Sequence, residues 1–343
     1  MSHEYYMQRC FELALKGLGR VAPNPMVGAV IVHDGRIIGE GYHQRFGGPH
    51  AEVVAMRSVK SDDEHLISEA TMYVSLEPCS HFGKTPPCAD MLVAQKVKRV
   101  VVSNTDPNPM VAGRGIKKLR DAGIEVIEGV LEAAGLYLNR RFFAFHQQKR
   151  PYIILKWAQS ADGFFTKDNH EQHWITGELS RRLVHRWRAE EQAILVGYRT
   201  VLADNPELTV RYWEPKHNPL RIVLDRDNTL PMDSKVFNEV APTLLLSAKH
   251  RADLTVQQLI GPWKDGLPAQ LFHILHERNI QSIIIEGGVA TLEAFIALGW
   301  WDEARVFTGA KHFSSGIAAP ILPVVPTATE TIGPDRLDTY YKP

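Results

Sequence analysis

Residues 71–104 read TMYVSLEPCSHFGKTPPCADMLVAQKVKRVVVSN. TMYVSLEP is a short apolar run, CADMLVAQK spaces its apolar residues as a helix does, and VKRVVVSN returns to a strand. Downstream, GIKKLRDAG predicts a helix and IEVIEG another strand, closing this half near residue 130. Upstream, VGAVIVHDGRIIGEGYH sets two apolar runs around Asp34-Gly35, a strong hairpin signal, and a helix is expected from His50. Residues 2–17 predict a first helix with Tyr6, Cys10 and Leu13 on one face, so Cys10 is expected in the core as a small hydrophobe. Such alternation implies an α/β fold, a sheet covered by helices.

A further helix is expected over 131–149, ending in QQKRP, and Pro151 with its polar run marks a boundary. Beyond it the alternation restarts, with strands YIILKWA, AILVG, LRIVLD, TLLLS, SIIIEGG and ARVFTG separated by helical stretches such as SRRLVHRWRAEEQ and ATLEAFIALG. A chain of 343 residues exceeds what one core usually organises. Two α/β domains are therefore expected, 1–146 and 151–343, with no internal repeat or low-complexity tract between them.

Lys+Arg and Asp+Glu are equal at 39 each, so no global field draws the chain to nucleic acid or an anionic membrane. Three cysteines are too few for a disulfide framework, and reduced thiols in the cytoplasm are expected. The N-terminal segment reads as a helix and not a signal peptide. No run of about 18 apolar residues exists to span a bilayer.

His50, Glu52, Cys79 and Cys88 are the residues most suggestive of chemistry. A lone histidine at a helix start usually caps or packs, and two cysteines nine positions apart could be unrelated core residues. Together, one imidazole and two thiolates supply three ligands of the kinds Zn²⁺ prefers and leave a fourth position for water, as a catalytic site requires. Two thiolates neutralise the ion, so it acidifies that water less than a site of neutral imidazoles would, and a carboxylate base becomes useful. Glu52 fits if the metal lies off the helix N-terminus, with Gly47, Gly48 and Pro49 bending the chain so that His50 falls in the first turn. Cys88, after Pro86-Pro87, opens the next helix, where the dipole favours a thiolate.

HAE followed by PC and a second cysteine resembles the zinc deaminase superfamily. The enlarged loop PCSHFGKTPPC, with PNPMVGAVIV, EGYHQRFGGPHAE, DPNPMVAGRG, KWAQSADG, VLADNPELTVR and IIIEGG, resembles the bifunctional riboflavin-pathway deaminase/reductases over nearly the whole chain. The resemblance implies a cytidine-deaminase-like α/β/α domain followed by a dihydrofolate-reductase-like α/β domain. It also implies one Zn²⁺ on His50, Cys79 and Cys88, with Glu52 moving protons. The implied substrate is 2,5-diamino-6-ribosylamino-4(3H)-pyrimidinone 5′-phosphate, with Asn24, His43, His81, Lys84, Asp106 and Asn108 on the loops around it. By residue type alone, Asn24 and Asn108 could simply start turns before their prolines, and Lys84 could be a solvated loop charge.

No GxGxxG follows a strand in the second half, so a Rossmann fingerprint is absent. SIIIEGGVATLEAFIALG reads as strand, Gly-Gly turn and helix, which would present backbone N–H groups to a phosphate. The resemblance assigns this half NADPH and reduction of the product's ribosyl group to ribityl. The implied cofactor residues are Ala158, Trp174, Thr200, Asp204 and the turn Gly288, Val289, Ala290, Thr291, Leu292, Glu293 and Ala294. Implied at the substrate are Arg188, Leu208, Arg211 and Glu286, with Lys156 and Asp162 as further residues near the nicotinamide and Asp204 assisting the hydride step. Gln172 stands where related chains often carry a substrate-contacting serine. Read without the resemblance, Arg188 belongs to a solvated helix face.

A tRNA or DNA base deaminase would share the zinc chemistry but needs a basic track, which evenly mixed charge does not provide. A structural metal would need a fourth protein ligand, for which His81 is the only nearby residue. A small phosphorylated pyrimidine remains the expected partner, with neither nucleic acid nor membrane, and a homo-oligomer is left open.

Overall fold

The computed structural model describes residues 2–80, 86–109, 111–167, 174–214 and 217–343, so His81, Lys84 and Gln172 lie outside the described residues. The chain divides into two compact units, Met1–Lys149 and Arg150–Pro343.

The first unit begins with α1 (His3–Leu15), the hairpin β1 (Gly28–His33) and β2 (Arg36–Tyr42), and α2 (Ala51–Arg57). It continues through β3 (Thr71–Leu76), α3 (Cys88–Ala94), β4 (Arg99–Asn104), α4 (Arg114–Asp121), β5 (Glu125–Ile127), α5 (Glu132–Leu138) and α6 (Arg140–Gln148). Its sheet has the order β2-β1-β3-β4-β5. The hairpin forms where expected, with positive φ at both Asp34 (45°) and Gly35 (78°), the pairing a two-residue turn requires. Strands β3, β4 and β5 run parallel, while β1 is antiparallel to β2 and β3.

Period-two alternation sends Ala29, Ile31, Val74, Val100 and Val102 to one face, against Ala51, Ala55, Leu92 and Leu119 of the helices. Val30, Val32, Tyr73 and Val101 take the other face, against Tyr6, Met7 and Cys10 of α1. The unit is therefore helix, sheet, helix, and Cys10 is fully buried as expected.

Two local expectations need correction. His50 is the N-cap of α2 and stands just before the first turn. The helix expected over 131–149 is two helices that meet at Asn139. There the Asn139 side chain accepts the Met26 N–H at 2.8 Å and donates to the Met26 carbonyl at 2.9 Å, an interaction the turn makes reachable.

The second unit opens with β6 (Tyr152–Gln159), β7 (Phe164–Thr166), α7 (Glu178–Glu190), β8 (Ala193–Gly197), α8 (Tyr198–Asp204), β9 (Leu220–Leu224), β10 (Thr243–Ser247) and β11 (Gln257–Ile260). After a small ribbon, β12 (Trp263–Lys264) and β13 (Leu267–Pro268), come α9 (Leu271–Glu277), β14 (Ser282–Ile285), α10 (Val289–Ala297), β15 (Glu303–Thr308), β16 (Ile317–Ala318), β17 (Ala328–Ile332) and β18 (Asp335–Tyr341). The main sheet has the order β11-β10-β9-β8-β14-β6-β15-β18-β17. Its first seven strands are parallel, β18 pairs antiparallel with β15, and β17 pairs antiparallel with β18.

Near-continuous apolar strands such as Ile283–Ile285 are what a sheet covered on both faces needs. Ile153, Leu155, Leu195, Ile283, Ile285 and Phe295 form the centre of its core. Each such side chain contributes about 1.5–3 kcal/mol by burial. Among the described residues no helix is long and apolar enough to cross a membrane.

Candidate active sites

In the first unit the ends of β3 and β4 lie side by side, with Leu76 opposite Asn104. The chain leaving β3 carries Cys79 and the chain leaving β4 carries Asp106 and Asn108. This is the carboxyl end of parallel strands, where open α/β sheets place ligands. His50 Nδ1 lies 3.4 Å from Cys79 Sγ and 3.4 Å from Cys88 Sγ. All three ligand-type atoms fall within 4.8 Å of one another. Tetrahedral bonds of about 2.0 Å to nitrogen and 2.3 Å to sulfur would separate nitrogen from sulfur by about 3.5 Å, so the donor set fits zinc.

The Cys88 backbone N–H donates to Cys79 Sγ at 3.3 Å. Hydrogen bonding from Cys88 and from His50 holds the Cys79 thiol down, to about 4, against burial. Cys88, sharing protons with Cys79 and buried, is pushed the other way. The Cys79 thiolate in turn raises His50 to about 9. Glu52 is only 3% exposed, and burial lifts its carboxyl to about 7.

His43 is buried, and burial lowers its pKa, so the ring is neutral. Its Nδ1–H donates to the Pro49 carbonyl at 2.9 Å, leaving Nε2 to accept the Asn24 amide at 3.0 Å. Its ring meets that of His50 edge-on, with centroids 5.6 Å apart. Asn24, His43 and the histidine that opens α2 thus form one connected group. Asp106 is buried, which raises its carboxyl to about 6, and Oδ1 accepts the Asn108 N–H at 2.8 Å.

In the second unit, Glu286 follows β14 and is held by Arg188 of α7 through Nε–Oε1 and Nη2–Oε2 hydrogen bonds, each 2.8 Å. Lys156 Nζ of β6 lies 3.7 Å from Glu286 Oε2. The Arg188 side chain is 11% exposed, so it does not belong to a solvated helix face. Burial would raise the Glu286 carboxyl, but Arg188 and Lys156 outweigh it and hold it at about 2.

At the neighbouring ends of β8 and β14, Gly197 N–H donates to the Gly287 carbonyl at 2.8 Å, and Gly288 caps α10. A Cβ at Gly288 would meet Thr200 Oγ1 at 3.2 Å, and one at Gly197 would meet Thr291 Oγ1 at 2.5 Å. Thr200 and the Gly288–Ala294 turn therefore adjoin. Asp204 ends α8 with an exposed side chain that has no partner among the described residues. Ala158 is half-buried on β6, and Trp174 is exposed beneath the Arg181 guanidinium. Leu208 is buried with φ of 57°. Arg211 Nη1 donates to Glu207 Oε2 at 3.2 Å and to Thr209 Oγ1 at 3.0 Å, while its backbone N–H donates to His185 Nδ1 at 3.0 Å. Burial, with Arg188 and Arg211 nearby, lowers His185 to about 4 and keeps it an acceptor.

Asp162, expected near the nicotinamide, accepts the Ser160 hydroxyl and the Phe313 and Ser314 N–H groups. It ties two loops together. Sequence reading passed over Glu77, Asn139 and His185, whose partners lie far away along the chain; a glutamate directly before Pro-Cys was the one local hint among them.

The model for the cytidine and deoxycytidylate deaminase zinc-binding region matches residues 1–104, and the RibD C-terminal domain matches residues 151–314. The riboflavin biosynthesis protein RibD of Aquifex aeolicus is 42% identical over 320 residues, covering 91% of this chain and 88% of its own. That of Escherichia coli is 41% identical over 332 residues, covering 92% and 89%. Among solved structures, a diaminohydroxyphosphoribosylaminopyrimidine deaminase/5-amino-6-(5-phosphoribosylamino)uracil reductase from Thermotoga maritima is similar with a TM-score of 0.88 and 40% identity, covering 98% of this chain and 97% of its own. With its zinc-binding deaminase region followed by a reductase domain, the chain belongs to the RibD family of bifunctional deaminase/reductases of riboflavin biosynthesis.

Proposed function

We propose that residues 1–146 deaminate 2,5-diamino-6-ribosylamino-4(3H)-pyrimidinone 5′-phosphate and that residues 151–343 then reduce the ribosyl group of the product to ribityl with NADPH. The observation that carries this reading is the convergence of His50 Nδ1 with the Cys79 and Cys88 sulfurs beside a buried Glu52. The name of the related Thermotoga chain supports the same pair of reactions.

His50, Cys79 and Cys88 would hold the metal, which when bound supplies Lewis-acid activation of water. Glu52, whose buried carboxyl titrates near neutrality, would take the two protons of the attacking water in turn, passing one to a ring nitrogen and one to the departing amino group. Oxygen replaces nitrogen on the ring and ammonia leaves. Asn24, His43, Asp106 and Asn108, together with His81 and Lys84, orient the pyrimidine. His43 serves as a neutral acceptor that fixes the Asn24 amide.

In the second unit Ala158, Trp174, Thr200, Asp204 and the Gly288–Ala294 turn would bind NADPH, which when bound supplies the hydride for reduction at C1′ of the opened ribose. Lys156, Gln172, Arg188, Leu208, Arg211 and Glu286 bind the phosphorylated substrate. Arg188 acts mainly by holding Glu286, since its Nε and Nη2 both donate to that carboxylate while Nη1 donates to the Thr209 carbonyl at 3.3 Å. Asp204 assists by proton transfer or by holding the open-chain form.

Cutting the chain between 146 and 151 tests the assignment, because each unit carries its own core. The N-terminal fragment is expected to release ammonia without NADPH, and the C-terminal fragment to oxidise NADPH only with the deaminated product. A soluble C-terminal fragment that neither binds nor oxidises NADPH would overturn the reductase assignment.

A further inference from the structure

Glu77 is buried between the end of β3 and the metal-ligand residue Cys79, with 4% of its surface exposed. Its own N–H continues the sheet by donating to the Asn104 carbonyl at 2.9 Å. Its carboxylate gathers backbone donors from a segment some thirty to forty positions away. Oε2 accepts the N–H groups of Asp106 at 3.2 Å and Gly113 at 2.9 Å, and Oε1 accepts those of Gly115 at 2.9 Å and Ile116 at 3.2 Å. All four partners are backbone amides. An acceptor-only group with two oxygens suits four converging donors, whereas an amide would turn an NH₂ toward two of them.

The same carboxylate caps α4, whose N-cap, Gly113, has no side chain to offer. Negative charge there is favoured by the unsatisfied N–H groups and the helix dipole. Close packing completes the attachment: a Cβ at Gly115 would fall 2.0 Å from the Pro78 carbonyl oxygen. The stretch DPNPMVAGRG is thus fastened at Asp106 and again at Gly113–Ile116 to one side chain. Asp106 and Asn108 lie within or beside those anchor points, and the Asn108 N–H bonds Asp106 Oδ1.

We propose that Glu77 is a positioning residue for deamination, holding through these four amides the loop that presents Asp106 and Asn108 to the pyrimidine. This rests on the deaminase reading above. Because the Glu77 carboxylate accepts backbone N–H groups of the loop carrying Asp106, its effect should fall on substrate binding and should pass through Asp106.

The test compares Glu77→Gln and Glu77→Asp with the parent in the full-length, zinc-loaded chain. In Glu77→Gln, amide hydrogen exchange should accelerate at Asp106, Gly113, Gly115 and Ile116. KM for the diaminopyrimidine should rise by about tenfold or more, the size expected when charge-assisted hydrogen bonds are lost, with a smaller change in kcat. Zinc content and NADPH oxidation with pre-deaminated product should stay at parent level, and Glu77→Asp, which keeps the charge, should recover part of the KM. On an Asp106→Asn background, Glu77→Gln should add less than about half of its own effect on a free-energy scale, since residues acting through one another are not additive. Unchanged exchange at the four amides would overturn the proposal, as would an unchanged KM with accelerated exchange, or a full KM penalty on the Asp106→Asn background. If the parent chain itself fails to deaminate this pyrimidine, the substrate reading fails, and the exchange data still decide whether Glu77 restrains the loop.

Discussion

Arg188 and Glu286, 98 positions apart in sequence, meet through two parallel hydrogen bonds of 2.8 Å. Because Glu286 is held at about 2 in the folded chain, against roughly 4.3 for an unperturbed glutamate, the pair stabilises fully above the unfolded value. That contribution is lost as pH falls through the folded value. Glu286→Gln should therefore narrow its stability deficit relative to the parent between about pH 4.5 and pH 2. Thermal melts across that range check it, and a deficit that stays constant would show that the carboxylate is not held as described.

Arg188→Ala should be more damaging than Glu286→Gln at neutral pH, because it leaves a buried carboxylate with only Lys156 nearby. A loss of about 3–5 kcal/mol is expected, read as a lowered denaturation midpoint of the second unit. A change below about 1 kcal/mol would place the pair among exposed ion pairs that contribute little.

Elemental analysis should find about one zinc per chain, and His50→Ala, Cys79→Ala or Cys88→Ala should each abolish stoichiometric binding. Chelation should stop ammonia release, lower the melting temperature of the first unit by linkage, and leave NADPH oxidation with the deaminated product intact. Active, metal-free protein would contradict the site.

Glu52→Gln should retain zinc and lose ammonia release by about 10²–10⁴-fold, since an amide of similar shape cannot carry protons. Ammonia assays on metal-replete protein decide it. Deamination near the parent rate would make Glu52 a bystander.

Asp204→Asn should slow NADPH oxidation while leaving ammonia release and melting temperature near parent values, because this exposed carboxylate has no described partner whose loss would unfold α8. Should melting temperature fall while reduction persists, Asp204 would merely start the turn at Asn205-Pro206.

What was legible in the sequence was local. The Asp34-Gly35 turn, the periodicity that buries Cys10, and the ligand chemistry of His50, Cys79 and Cys88 are carried by neighbouring residues or by an uncommon combination of side-chain types. The strands β17 and β18 were missed because β17 is almost wholly exposed and lacks the apolar alternation that marks a half-buried strand. Arg188, surrounded in sequence by other charges, has the pattern of a solvated helix, and only a partner 98 positions away makes it a buried ion pair. Glu77 and Asn139 are of the same kind. Their hydrogen bonds reach backbone groups of distant loops, for which the sequence holds no signal beyond the place of Glu77 directly before Pro78-Cys79.

One chain is expected to replace an amino group of the pyrimidine by oxygen and then to reduce the attached ribosyl group. Incubating the full-length, zinc-loaded protein with the diaminopyrimidine phosphate and resolving products by mass tests both steps. Without NADPH a single product is expected, in which oxygen has replaced the amino nitrogen, and with NADPH a second product carrying two added hydrogens. Unchanged substrate under both conditions, or reduction that precedes and does not require loss of the amino group, would contradict it.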